Sequence, residues 1–187
     1  MQSIRRLVPN GEGWQLSLYQ SFDPSRLRPG SRPVLVVPGY GTNSRVYSYH
    51  PSGSSLEAVL VEAGLEVWRG DLRGQGDSRC DGGTRDPGLE ALARSDLGAL
   101  IGAVLADTRT GARQVDLIGG SLGGTLVFAH AVLEGTARLG SLVCVGTPVR
   151  WTRVHPAVRV LFGSPWLVGR VPVRGSRRLA GTALPLL

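Results

Sequence analysis

The chain contains no lysine. All 21 of its basic residues are arginine, against 14 acids, for a formal net charge of +7. The excess is uneven: up to Glu134 there are 13 arginines and 14 acids, and from Gly135 onward eight arginines and no Asp or Glu. A nucleic-acid surface wants basic residues clustered on one face, with aromatics or a known module. Here the arginines stand singly between apolar residues and no such module is visible, so no nucleic-acid partner is expected. An arginine-only complement reads as genome composition. The two cysteines, Cys80 in a polar stretch and Cys144 in an apolar one, are too few for a disulfide framework. No uninterrupted apolar run approaches the ~18 residues of a membrane-spanning helix. The N-terminus, Met1-Gln2-Ser3-Ile4-Arg5-Arg6, lacks the apolar stretch and small-residue cleavage site of a secretory leader. The expectation is a cytoplasmic location with no transmembrane segment, and at 187 residues one domain around one core.

What is present is a succession of strand and helix signals. Residues 14–19 alternate apolar and polar after the turn-like Asn10-Gly11-Glu12-Gly13 and read as an early strand. Val34-Leu35-Val36-Val37 is wholly apolar, as a parallel strand covered on both faces should be. Residues 56–63 predict a helix stopped by Gly64, 65–68 a strand, and 89–106 a long amphipathic helix. Residues 114–118 and 141–145 read as further strands, with a helix from Thr125 to Glu134 between them. Strands alternating with helices require crossover connections, hence an α/β fold with a parallel sheet flanked by helices. Beyond residue 150 the character changes: Pro156, Pro165, Pro172 and Pro185 interrupt apolar residues and arginines, predicting short broken helices.

The most informative stretch is Gly119-Gly120-Ser121-Leu122-Gly123-Gly124, a G-x-S-x-G between an apolar strand and a helix. A serine at the tip of a sharp strand-to-helix turn needs a strained backbone, and its neighbours Gly119 and Gly123 must be small so that the two arms can approach. In return its Oγ stands exposed at a helix N-terminus, where N–H groups and the helix dipole favour developing negative charge. Two loops accompany it. Pro38-Gly39-Tyr40-Gly41 follows the first apolar strand, and Gly70-Asp71-Leu72-Arg73-Gly74-Gln75-Gly76-Asp77-Ser78 follows the next. No glycine-rich phosphate loop of the nucleotide-binding kinds is present.

Taken in order, these three motifs resemble the α/β-hydrolase fold family (serine esterase and lipase-like), with its PG- or HG-type oxyanion loop, D-x-R-G-x-G-x-S loop and G-x-S-x-G. The resemblance covers roughly the first two-thirds of such a hydrolase. It implies a core over residues 1–150 and the start of a helical cap over 151–187. It also implies that Ser121 is the nucleophile. The N–H groups of Tyr40 and Leu122 would hold the oxyanion, with Gly119, Gly120 and Gly123 forming the elbow. Asp71 and Arg73 would tie a sharp turn that Gly74 and Gly76 permit. No cofactor and no metal are implied.

The triad does not close in this reading. The relay needs an acid and a histidine after the serine. Downstream, the only acid is Glu134, thirteen helical residues or ~20 Å from the nucleophile. His130 lies on the same helix about half a turn out of phase, a surface or sheet-packing residue. His155 has nothing acidic after it to orient it, and is the weakest of candidates for the base. His50 is at best a wall of the cleft. The expectation is therefore an incomplete fold with three functional readings. The first is a serine hydrolase of carboxylic (acyl or lipid) esters whose triad is finished elsewhere. The second is an inactive remnant or interaction module. The third is an acyltransferase of the same fold, such as a polyester synthase, although those carry Cys where Ser121 stands. Two consequences follow: the strand at 141–145 becomes an unprotected edge, inviting a complementing chain or self-association. The apolar segment 158–187 lacks the domain it would cover.

Overall fold

The computed structural model describes residues 1–149, and the expected cap segment, His155 and the apolar stretch 158–187 lie outside them. Among the described residues one seven-stranded sheet carries the architecture. Its strands are β1 (Gln2–Pro9), β2 (Trp14–Phe22), β3 (Val34–Val37), β4 (Val67–Gly70), β5 (Arg79–Cys80), β6 (Val115–Gly120) and β7 (Leu139–Val145). The order is β1-β2-β4-β3-β6-β7, with β5 paired to β2. Strands β4, β3, β6 and β7 are mutually parallel. The β1–β2 hairpin joins β4 antiparallel, so the whole sheet is mixed. The expected parallel sheet is its central and C-terminal part.

Period-two alternation in the short strands explains the layering. Leu35 and Val37 of β3 point into a large core with Trp68, Leu117 and Leu126. That core also takes Leu97, Leu100, Ile101 and Val104 of the helix α3 (Leu97–Asp107). Val34 and Val36 point to the opposite face, against Val61 of α1 (Leu56–Glu62) and Val67. A strand with helices on both faces cannot carry a polar side chain cheaply, which is why residues 34–37 are wholly apolar.

The helices begin and end as their sequences require. Ser55 caps α1, its hydroxyl accepting from the Ala58 N–H at 3.2 Å, and Gly64 closes the exit at φ 85°. The long helix expected over 89–106 is interrupted. A short α2 (Leu89–Ala91) runs into a π-helical turn, Leu92–Asp96, before α3. That wider turn accompanies a buried ion pair, because Asp96 accepts from the Arg73 guanidinium at 2.7 Å, from its backbone N–H at 2.9 Å and from Asn10 Nδ2 at 2.6 Å. The fourth helix, α4 (Leu122–Glu134), follows β6 directly.

Strand β1 was not anticipated, and the reason is legible in its contacts. Its half-buried positions are Ile4, Arg6 and Val8, while Leu7 faces out. Arg6 lies 5.6 Å over the Trp68 ring and donates to Gln20 Oε1 at 3.1 Å. An inward arginine and an outward leucine invert the pattern by which a half-buried strand is recognised.

Candidate functional site

Because β3, β4, β6 and β7 are parallel, their C-terminal ends share one edge of the sheet, and the loops leaving them meet there. Ligand sites of open α/β sheets form at such edges. Four segments converge: the 38–43 loop after β3, the 71–78 loop after β4, the turn at Ser121 after β6, and residues 146–149 after β7.

The turn at Ser121 is the strained element of the fold. Its backbone has φ 50° and ψ −118°, the one non-glycine residue at positive φ among the described residues. A non-glycine residue held there costs ~1–3 kcal/mol and persists only where its surroundings over-determine it. Those surroundings are visible. The Ser121 N–H donates to the Val145 carbonyl at 2.9 Å, tying the turn to the end of β7. The Ser121 carbonyl accepts from Gly124 and Thr125, starting α4. A methyl group on Gly119 would lie 2.5 Å from the Gly124 backbone, and one on Gly123 would lie 2.4 Å from the Val37 carbonyl oxygen. Only hydrogen fits at either position. Gly120 is confined differently, because the Tyr47 hydroxyl occupies the space a methyl group there would need. That hydroxyl donates to the Val37 carbonyl at 3.2 Å, and burial keeps the phenol above its ordinary pKa.

The Ser121 side chain is exposed and does not cap α4. The early N–H groups of a helix have no intrahelical partner, so the N–H of Leu122, the first residue of α4, is such a donor. The 38–41 loop comes close on the other side. A methyl group on Gly39 would lie 3.1 Å from the Ser121 Cβ. The expected elbow glycines, Ser121, Leu122 and the Tyr40 segment are thus brought together.

The 71–78 loop does more than turn. Asp71 accepts from the Ser44 N–H at 2.6 Å and from the Ser17 hydroxyl at 2.8 Å, joining β2 to the 3-10 turn Ser44–Tyr47. Gly76 is required because its missing Cβ would fall 2.1 Å from the Asp71 carboxylate. Arg73 leaves the loop to reach Asp96 and Glu12, so it anchors the loop to the π-helical turn rather than closing it on Asp71. The sequence reading missed Gln75. Its Oε1 accepts from the Leu72 N–H at 3.1 Å and its Nε2 donates to the Gly39 carbonyl at 3.0 Å, linking the 71–78 loop to the 38–41 loop. The motif spacing records only that some residue stands between two glycines, so no signal marked this position.

The histidines of this region serve elsewhere. His130 is buried and its Nδ1–H donates to the Ala93 carbonyl at 2.8 Å, a packing role against the π-helical turn. His50 is exposed, its Nδ1 accepting from the Ser52 N–H. Glu134, at the far end of α4, pairs with Arg94. Among the described residues no three His, Cys, Asp or Glu side chains converge as a metal-binding set, and no helix is long and apolar enough to cross a membrane.

Comparison with known proteins agrees with this architecture. Solved structures with the same fold include an esterase from Thermogutta terrifontis, 23% identical with a TM-score of 0.59, over 99% of this chain and 58% of that one. An esterase from Exiguobacterium antarcticum is 18% identical with a TM-score of 0.62, over 83% and 50%. An epoxide hydrolase from Vigna radiata is 21% identical with a TM-score of 0.59, over 87% and 45%. The chain spans about half the length of these structures. No curated protein matches it in sequence. The family model described as the alpha/beta hydrolase family matches residues 34–185, most of the chain. This protein belongs to the alpha/beta hydrolase family.

Proposed function

We propose that the chain carries the nucleophile and oxyanion site of a serine hydrolase acting on carboxylic esters, with acyl or lipid esters as the substrate class. The observation that carries this reading is the strained backbone of Ser121, which presents an exposed hydroxyl at the N-terminus of α4. Strain of this kind is retained where it serves a site. In the proposed chemistry the Ser121 Oγ attacks the ester carbonyl carbon while a base takes its proton. The negative charge on the former carbonyl oxygen is met by the N–H groups of Leu122 and Tyr40. Collapse of the tetrahedral intermediate expels the alcohol, which takes up the proton, and water then hydrolyses the acyl-serine. Each oxyanion donor is worth ~2.7–4 kcal/mol of transition-state stabilisation. The known neighbours include both esterases and epoxide hydrolases; a hydroxyl nucleophile beside paired N–H donors favours acyl transfer between them.

The base and its orienting acid come, in this proposal, from outside residues 1–149. His50, His130 and Glu134 are engaged or distant, and residues 150–187 hold one histidine, His155, and no acid. A fluorophosphonate probe tests the reading. Ser121 should be labelled and Ser121→Ala should not, with faster labelling when further chain or a partner supplies the relay. Absence of labelling in every form favours the second reading, a hydrolase scaffold retained without turnover, for which the engaged histidines already speak.

A further inference from the structure

We infer that Gln75 is a positioning residue that aims the Tyr40 N–H at the oxyanion site; the inference rests on the proposed acyl-transfer role of that site. Every peptide bond described is trans, so the Gly39 carbonyl and the Tyr40 N–H point in opposite directions from one rigid plane. Fixing one fixes the other. The Gly39 carbonyl accepts from Gln75 Nε2 at 3.0 Å and from Thr42 Oγ1 at 3.1 Å.

The sheet order supplies the direction. Strand β3 lies between β4 and β6. Gln75 belongs to the loop after β4, so its amide draws the Gly39 carbonyl toward the β4 side. The opposite end of the same peptide, the Tyr40 N–H, then points toward the β6 side, where Ser121 stands next to Gly39. Glycine at 39 leaves this peptide free to rotate, so without Gln75 only the Thr42 hydroxyl, from within the same loop, still holds that orientation. The glutamine amide is itself oriented without ambiguity. The Leu72 N–H can only donate and the Gly39 carbonyl can only accept, so oxygen must face the first and nitrogen the second.

This division of labour makes Gln75→Glu the discriminating variant. A carboxylate still accepts from the Leu72 N–H, so the 71–78 loop keeps its internal bond. Toward Gly39 it presents oxygen to oxygen, and the peptide is repelled instead of held. Gln75→Met, of similar length and uncharged, removes the donor without repulsion; it also gives up the bond from the Leu72 N–H, and it serves where the carboxylate impairs folding.

The experiment uses the full 187-residue chain in three forms, with amide and carbonyl NMR, melting temperature, and the second-order rate of phosphonylation by a fluorophosphonate. Gln75→Glu, which keeps the bond from the Leu72 N–H, should melt close to the parent, and Gln75→Met, which loses it, a few degrees lower while remaining folded. The Gly39 carbonyl and Tyr40 amide resonances should move, while the Ser44 amide, held by Asp71 in the same region, stays in place. Labelling of Ser121 should slow ~10- to 100-fold, short of the ~10²–10³ for losing an oxyanion donor outright. Unmoved Gly39 and Tyr40 resonances, or an unchanged labelling rate in a folded variant, overturn the inference. A parent chain that is never labelled, even when further chain or a partner is supplied, defeats the proposed function instead, and the resonances alone then decide whether Gln75 holds this peptide.

Discussion

Replacing Ser121 with glycine should stabilise the protein, and replacing it with alanine should not. The hydroxyl is exposed and caps nothing, so its removal alone costs little. The Cβ is what makes φ 50°, ψ −118° unfavourable, and alanine keeps it. Glycine relieves ~1–3 kcal/mol of backbone strain. Against this stands the greater freedom of glycine in the unfolded chain, ~0.4–1 kcal/mol. The difference between the variants is therefore about 0–2.6 kcal/mol in favour of glycine, centred on ~1.3 kcal/mol. For a chain of this size each kcal/mol shifts Tm by ~2–4 °C, so the glycine variant should melt ~3–5 °C above the alanine variant at the centre of that range and at most ~10 °C above it. Circular dichroism melts give this directly. Urea unfolding checks that the midpoint moves at unchanged slope, as a pure stability change requires. A glycine variant melting at or below the alanine variant would refute the claim that the turn is strained, and with it the argument that strain marks the site.

Gly123→Ala should destabilise by ~1–3 kcal/mol, since its methyl group would meet the Val37 and Pro38 carbonyl oxygens at 2.4 and 2.6 Å, backbone atoms with little room to retreat; chemical denaturation reads the loss. Asp77 gives a pH prediction: the Tyr19 hydroxyl hydrogen bond, then Arg5 and Arg45, hold its carboxyl below the ordinary range. A folded-state pKa below the unfolded ~3.9 means stabilisation present above that value and lost as pH falls through the folded one, so the stability gap between the parent and Asp77→Asn should narrow below pH ~4. A gap constant from neutral pH down to pH 2 would contradict it.

Much of this site could be read from the sequence because its constraints are local. Gly119, Ser121 and Gly123 are fixed by the sterics of one turn, and the apolar run 34–37 by burial on both faces, so spacing and composition record them. Strand β1 is hidden because its inward position is filled by Arg6, whose guanidinium meets Trp68, Gln20 and Asp107, partners far away in the chain. Strand β4 runs two residues beyond the 65–68 its sequence suggests for a related reason: Arg69 and Gly70 look like loop. Arg69 is buried in a pair with Glu57 at 2.7 Å, and Gly70 is small to admit Leu100. The interruption at 92–96 was equally invisible, since the residues are ordinary helix formers and the wider turn coincides with the Asp96–Arg73 contact. Polar residues whose partners are remote leave no periodic trace.

Gln75 belongs to that class, and it shows how the strained turn and the loop opposite it depend on the sheet. Ser121 cannot hold its backbone alone; the Val145 carbonyl secures it from the β7 side, and the close approach of Gly123 to Val37 secures it from the β3 side. Tyr47 spans the ends of β3 and β6, donating to Val37 and filling the space beside Gly120. The 38–41 loop, which carries the proposed Tyr40 donor, is secured from the β4 side through Gln75. Each strand end therefore braces its neighbour's loop, in the sequence β4 to β3 to β6 to β7. These contacts join the ends of adjacent parallel strands. Catalytic geometry is expected to need placement within ~0.5 Å, and a chain of backbone and amide contacts across four adjacent strand ends braces Ser121 and the loop opposite it.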